Sequence, residues 1–90
     1  MRLSVRAYCR RTRGDARPFE EKAVEFDDPF ALQKGVALPY QDTFLRLEGR
    51  KVTLEAMGEK EEAELAYGER KEFRFERGPL ALFMTITLEE

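Results

Sequence analysis

The chain has 90 residues, which is enough for one domain spanning residues 1–90 and too few for two. It contains no histidine and a single cysteine, Cys9, and its six glycines are dispersed along the sequence. This composition excludes catalytic triads built on a histidine base, zinc sites made of histidine or clustered cysteine, and glycine-rich phosphate loops. We therefore expect no enzymatic activity, no cofactor and no metal site.

The charge is distributed unevenly along the chain. The net charge is −2, yet residues 1–17 carry six arginines and one acid, giving +5, whereas the rest of the chain carries −7. Charged residues make up 38% of the sequence, and there is no asparagine or tryptophan. A composition rich in charges and poor in thermolabile amides is typical of proteins from hot environments.

Several features predict a cytoplasmic protein. The first residues, MRLSVRAYCRR, have charges spread among the apolar positions, which is unlike a signal peptide. No run approaches the ~18 apolar residues that a membrane helix needs. A lone cysteine cannot form an internal disulfide and fits a reducing compartment, where we expect Cys9 to be a small buried apolar residue.

The first third of the chain predicts two strands and a short helical turn. Apolar residues alternate with polar ones from residue 2 to residue 10, which is the pattern of a half-buried strand. Residues 12–18 have the composition of a loop, and a second strand is expected at about 20–26. Asp28 and Pro29 favour the start of a helical turn near residues 29–34, which Gly35 is suited to end.

From residue 43 onward the pattern predicts a meander. Strands are expected at about 43–48, 51–57, 61–67, 71–77 and 79–88, separated by short segments that each contain a glycine. The segment 59–67 also contains good helix formers, so a helix stays open as an alternative there. The last strand is apolar on both faces, which favours a central position or a dimer contact. We expect an all-β fold: a small antiparallel β-barrel or barrel-like sandwich of about seven strands, with the one helical turn.

The outward face of the first strand is the main candidate interaction surface. Arginine forks match phosphate oxygens, and an aromatic ring among them offers a base a surface for stacking. The same arginines could instead pair with glutamates on other strands, such as Glu72, Glu76 or those at 61, 62 and 64, or they could bind an acidic protein. The candidate residues are Arg2, Arg6, Tyr8, Arg10, Arg11 and Arg13.

A second candidate surface is apolar and lies in a stretch of weak regular structure. Its residues could plug one end of the barrel, form a patch for another subunit, or line the mouth of a small-molecule cavity. The candidate residues are Phe30, Leu32, Leu38 and Tyr40, with Val36 and Phe44 close by.

Together these features favour a non-enzymatic module that binds another macromolecule. A protein partner or self-association as a homo-oligomer is the leading hypothesis. Nucleic acid bound through the arginine and tyrosine face is the alternative, and a small-molecule-binding barrel is a second one. No membrane partner is expected. The neighbouring carboxylates Asp27 and Asp28 are interpreted as capping or solvated groups, because adjacent strand residues point to opposite faces and cannot cooperate in acid–base chemistry.

Overall fold

The computed structural model describes residues 1–14, 17–40 and 42–90. The predicted loop at residues 12–18 contains residues 15 and 16, which lie outside the described residues, and those around them form no strand. The described residues form eight strands and one turn of 3₁₀ helix, Pro29–Leu32. The strands are β1 (Arg2–Arg11), β2 (Phe19–Phe26), β3 (Val36–Ala37), β4 (Phe44–Glu48), β5 (Lys51–Ala56), β6 (Glu59–Glu64), β7 (Arg70–Arg77) and β8 (Leu80–Glu89).

The strands form two antiparallel sheets of four strands each. The first sheet has the order β2-β1-β8-β7, and the second has the order β3-β4-β5-β6. The all-β expectation is confirmed, but the described strands form no closed barrel, because no strand of one sheet pairs with a strand of the other. The strand count was one too low, since the two residues of β3 are too few to show a period of two.

The core lies between the sheets and contains the inward residues of both. In β1 the alternation places Leu3, Val5, Ala7 and Cys9 inward, and all four are buried. Full burial of one large apolar side chain contributes about 1.5–3 kcal/mol. The largest fully buried side chains are Phe75, Leu3, Leu32, Leu45, Leu47, Leu54, Leu65, Leu82, Met84, Ile86, Leu88 and Val5.

The last strand occupies the centre of the first sheet, as its apolar pattern predicted. β8 pairs with β1 on one side and with β7 on the other. Its inward residues are core residues, and two apolar residues, Ala81 and Phe83, are on its outer face. A central strand has no free edge, so its hydrophobic sequence does not create a site for aggregation.

The segment 59–67 is a strand only in its first part. Residues Glu59–Glu64 pair with β5, so the helical alternative is wrong. The alternation of Ala63, Leu65 and Tyr67 in the expected strand predicts that all three point inward, but Tyr67 is 45% exposed. The chain leaves the second sheet after Glu64 and crosses to the first, where Tyr67 forms an isolated bridge with Leu88.

The helical turn is shorter than predicted and ends at Leu32. The amide of Gly35 donates a hydrogen bond to the Leu32 carbonyl oxygen at 3.1 Å, and Gly35 has a φ of 90°. This conformation favours glycine. A methyl group added at Gly35 would also overlap the ring of Phe44, so the position requires glycine for two reasons.

We expect Gly35→Ala to lower the free energy of unfolding by more in the wild-type background than in a Phe44→Ala background. The backbone strain, about 1–3 kcal/mol, is common to both backgrounds, whereas the overlap with the ring exists only in the first. Urea denaturation of the four proteins measures the difference. Equal losses in both backgrounds would show that the Phe44 ring does not cover Gly35.

Candidate functional site

The register of the first sheet brings an arginine and two aromatic residues into one row on its outer face. Tyr8 of β1 lies directly opposite Phe83 of β8, and Phe83 lies directly opposite Arg74 of β7. Residues directly opposite each other in an antiparallel sheet point to the same face. Arg74, Phe83 and Tyr8 therefore follow one another across three strands, and we call this set the stacked row.

The three side chains of the stacked row are in contact. The rings of Tyr8 and Phe83 are stacked, with centroids 5.1 Å apart and an angle of 14° between their planes. The guanidinium carbon of Arg74 lies 5.2 Å from the centroid of the Phe83 ring, which is a cation–π contact. Because Phe83 lies between Arg74 and Tyr8, the ring that still offers a face for stacking is that of Tyr8, on the side of β2.

A groove lies on that side of Tyr8. Its volume is about 420 Å³, which is within the usual range of small-ligand sites. It is an open groove on the outer face rather than a space between the sheets. It is lined by Arg6, Ala7, Tyr8, Glu21, Lys22, Ala23 and Thr85.

A β-bulge in β2 borders the groove. The register of β1 with β2 shifts between Ala7 and Cys9, so that Glu20 and Glu21 together stand opposite Tyr8. Glu20 has a φ of 53°, a conformation that a β-bulge can require of its first residue. The extra residue breaks the regular pairing beside Tyr8, which is where the groove lies.

Arg6 is the one groove-lining arginine, and no acidic residue lies directly opposite it. Its neighbours across the strands are Ala23 of β2 and Thr85 of β8. Among the described residues it makes no ion pair within 4.0 Å, whereas Arg2 pairs with Asp27 at 3.2 Å. Arg10 is half-buried and has contacts within the protein. Arg6 is thus an exposed cation next to the free face of Tyr8, and the ammonium of Lys22, which also lines the groove, donates to the Pro39 carbonyl oxygen at 2.9 Å.

The glutamates that were candidate partners do not lie directly opposite Arg6, and Glu72 is separated from it by Thr85 of β8. Those at 61, 62 and 64 belong to β6 in the other sheet, and Glu62 pairs with Lys51 and Lys60 at 3.4 and 3.5 Å. The hydrogen bond from Lys51, followed by the charges of Lys51 and Lys60, lowers the pKa of Glu62. Glu76 forms its ion pair with Arg74 on the same strand. For Arg6, the interpretation as a cross-strand ion-pair partner is therefore wrong.

The two remaining candidate arginines lie beyond the stacked row. Arg11 ends β1 opposite Leu80, which puts it on the side of the strand opposite to Tyr8, so its predicted place on the outward face is wrong. Arg13 follows in the loop, and both are exposed. The amide of Thr12 donates a hydrogen bond to the Pro79 carbonyl oxygen at 2.9 Å. This bond holds the start of the loop beside the β7–β8 turn. The stacked row ends on the other side, at Tyr8 next to β2, so neither Arg11 nor Arg13 lines the groove.

The apolar candidate surface is largely part of the core. Leu32, Leu38 and Tyr40 are 0%, 5% and 9% exposed, and the side chain of Phe30 is outside what the structure describes. The Tyr40 hydroxyl donates to the Lys22 carbonyl oxygen at 3.2 Å, and burial raises the pKa of Tyr40. These three residues cannot form an exposed patch for a partner, because they are part of the core.

The interior leaves no room for a ligand at that end of the sheets. The space bounded by Met1, Leu3, Phe26, Leu32, Leu47 and Leu88 has a volume near 0 Å³ for a molecule the size of water. Of the candidate surfaces, the outer face of the first sheet is the one with an accessible groove.

Cys9 is a buried residue of the core. Its side chain is on the inward face of β1, and burial raises its pKa above the ordinary value of 9.0, with a further contribution from the charge of Glu20. A thiol in these surroundings is protonated at neutral pH and is a poor nucleophile. Cys9 therefore stabilises the core and contributes no chemistry to the groove.

We expect the free energy of unfolding to fall as the pH rises above about 9. The unfolded chain loses the Cys9 proton at a lower pH than the folded protein does, so rising pH favours unfolding between the two pKa values. Tyr40 acts in the same direction at higher pH. Urea denaturation from pH 7 to 10 measures the slope, and Cys9→Ala should flatten its first part. If the free energy of unfolding depends on pH equally in the wild type and in Cys9→Ala, the pH dependence does not come from Cys9.

Comparison with known proteins and searches for common sites returned no match. No protein-family model matches the chain, and no curated protein or solved structure is significantly similar to it. The described part of the chain contains no group of three or more His, Cys, Asp or Glu residues that could hold a metal ion. No helix within the same residues is long and apolar enough to cross a membrane.

Sequence reasoning identified one side of the site and missed the other. Arg6 and Tyr8 were recognised from the alternation of β1, but Phe83, Arg74 and Thr85 were not connected with them. The sequence did contain one signal for the missed side. Phe83 is an aromatic residue on the face of β8 opposite to its buried leucines, so it lies on the outer face together with Tyr8. The pairing of β1 with β8, which joins residues about 75 positions apart, has no local signature in the sequence.

Proposed function

We propose that this protein is a non-enzymatic module that binds single-stranded nucleic acid on the outer face of its first sheet. The observation that carries the proposal is the stacked row of Arg74, Phe83 and Tyr8, which ends at a groove of about 420 Å³. In this account a base enters the groove and stacks on the free face of Tyr8, extending the row by one ring.

Stacking is supported by the geometry around Tyr8. Phe83 holds the Tyr8 ring in place from one side, so little side-chain freedom is lost when a base packs on the other side. A base stacked on an aromatic residue contributes about 1–3 kcal/mol, with little dependence on the identity of the base. Unpaired bases can be splayed out onto a sheet in this way, whereas those of a duplex cannot.

The charges around the groove support a nucleotide as its occupant. Arg6 lies two residues from Tyr8 on the same face and has no acid directly opposite it, so its guanidinium can meet a phosphate. Glu21 on the far wall can accept a hydrogen bond from the exocyclic amino group of cytosine or adenine. Arg11 and Arg13 add positive charge at the end of β1, outside the groove.

The setting that we propose for this activity is the cytoplasm. Cys9 is a free thiol in the core and the chain has no second cysteine, which fits a reducing compartment. The net charge of −2 means that attraction of the polymer depends on the local arginines. Affinity should therefore fall steeply with salt.

Arg6→Gln should weaken binding and reduce its dependence on salt. Loss of one phosphate contact lowers the slope of log K against log[salt] by about 0.7 for a single strand. The measurement is fluorescence anisotropy of a labelled single-stranded oligonucleotide at several salt concentrations. The control is Arg46→Gln, which removes the same charge from the second sheet and should leave the slope unchanged. A wild-type protein that binds no oligonucleotide even at low salt would overturn the proposal.

Tyr8→Ala should weaken single-strand binding by about 5- to 150-fold, which corresponds to the loss of one stacked base. Tyr8→Phe keeps the ring and should bind nearly as tightly as the wild type. The same anisotropy titration measures both variants, with circular dichroism to confirm that each is folded. Equal affinity for Tyr8→Ala and the wild type would show that the groove beside Tyr8 is not the binding site.

A further inference from the structure

Strand β7 forms one edge of the first sheet. It pairs with β8 on one side, and no other described strand lies beside it. Within residues 1–14, 17–40 and 42–90, no backbone hydrogen bond from residues 70–77 to another strand is found beyond those of the β7–β8 pair. An edge of eight residues is long enough to pair with another strand unless its side chains prevent it.

The side chains on the outer face of β7 alternate in charge. Arg70, Glu72, Arg74 and Glu76 lie opposite Thr87, Thr85, Phe83 and Ala81 of β8, so all four share the outer face. The residues between them include Phe73 and Phe75, which are buried on the inward face. The outer side of this edge is therefore neutral overall, with two positive and two negative charges in strict alternation.

This alternation is self-complementary when two copies of β7 run antiparallel. Residues directly opposite each other in an antiparallel pair lie on the same face. The two-fold axis that relates the two copies must therefore lie between one residue and the same residue of the second copy, and we name each axis by that residue. An axis through Phe73 places Arg70 opposite Glu76 of the second copy, and Glu72 opposite Arg74 of the second copy. By symmetry this gives four pairs of opposite charge, and Phe73 meets its own copy on the inward face.

The neighbouring registers are disfavoured. An axis through Glu72 places Glu72 opposite itself and Arg70 opposite Arg74. An axis through Arg74 likewise places Arg74 opposite itself and Glu72 opposite Glu76. Like charges that lie directly opposite each other destabilise a pair of strands. The axis through Phe73 is the register that pairs all four of these charged residues with an opposite charge of the second copy.

The other long edges lack this self-complementary alternation of charge. In β2, an axis through Ala23 places Glu21 opposite Glu25. In β6, four of the six residues are glutamate. The charges of β2 and β6 protect these edges from pairing, whereas those of β7 permit pairing with an identical strand.

We propose that the edge of β7 is a homodimer interface, at which two copies of the first sheet join into one continuous antiparallel sheet of eight strands. The partner is a second copy of this chain, paired about Phe73. A strand edge alone buries less surface than a stable dimer needs, so the dimer forms in a concentration-dependent manner. The proposal does not depend on nucleic acid binding.

A charge swap tests the proposal. Arg70→Glu and Glu76→Arg each turn two attractive pairs into two repulsive ones, so each should raise the dissociation constant of the dimer about tenfold or more. The double variant restores opposite charges at the same positions and should dimerise nearly as well as the wild type. Sedimentation velocity over a range of protein concentrations measures the dissociation constant.

Two controls separate the interface from general effects of charge. Glu59→Arg on β6 and Arg46→Glu on β4 make the same changes of net charge away from β7, and neither should alter the dissociation constant. Arg70 and Glu76 do not line the groove, so a failure of dimerisation leaves the oligonucleotide titration interpretable. A wild type that is monomeric at every concentration, or a double variant that dimerises no better than the single ones, would overturn the proposal.

Discussion

The pairing of β1 with β8 is the constraint on which the rest of the structure depends. Ten residue pairs join these two strands from the two ends of the chain, and together they form the centre of the first sheet. Their inward side chains supply eight of the 19 buried residues of the described core. Their outward side chains place Tyr8 against Phe83, and the position of Arg74 on β7 then completes the stacked row. One register thus determines both the core and the candidate site.

Local patterns in the sequence predicted the strands but not the way in which they associate. The alternation in β1 and the glycine turns between later strands gave element positions to within a few residues, and the apolar pattern on both faces of β8 predicted its central place. Barrel closure was expected because open sheets expose edges, yet the charges of β2 and β6 protect those edges without closure. The short strand β3 and the crossing of the chain from the second sheet to the first after Glu64 depend on contacts with residues far away in the sequence. A local alternation of apolar and polar residues does not predict such contacts.

The candidate site could be predicted only on the strand where it begins. Arg6 and Tyr8 stood out because their strand alternates cleanly. Whether Arg6 has an ion-pair partner depends on its neighbours across the sheet, which are Ala23 and Thr85. The groove lies beside the β-bulge at Glu20 and Glu21. The usual sequence signal of such a bulge is a glycine, and β2 has none. The apolar stretch from Leu32 to Tyr40 was ambiguous for the opposite reason, because hydrophobicity alone does not separate an end of the core from an exposed patch.

The proposed interface and the proposed binding surface are compatible within one sheet. Tyr8 and the groove lie two strands away from the edge of β7, so a dimer would carry two grooves on one continuous outer face. The central claim is that a single strand of nucleic acid occupies the groove beside Tyr8. The most direct test is an NMR titration of the ¹⁵N-labelled protein with a short single-stranded oligonucleotide. The account predicts amide shift changes concentrated at Arg6–Tyr8, at the Glu20–Glu21 bulge and at Phe83–Thr85. Changes confined to β4–β6, or none at all, would contradict it.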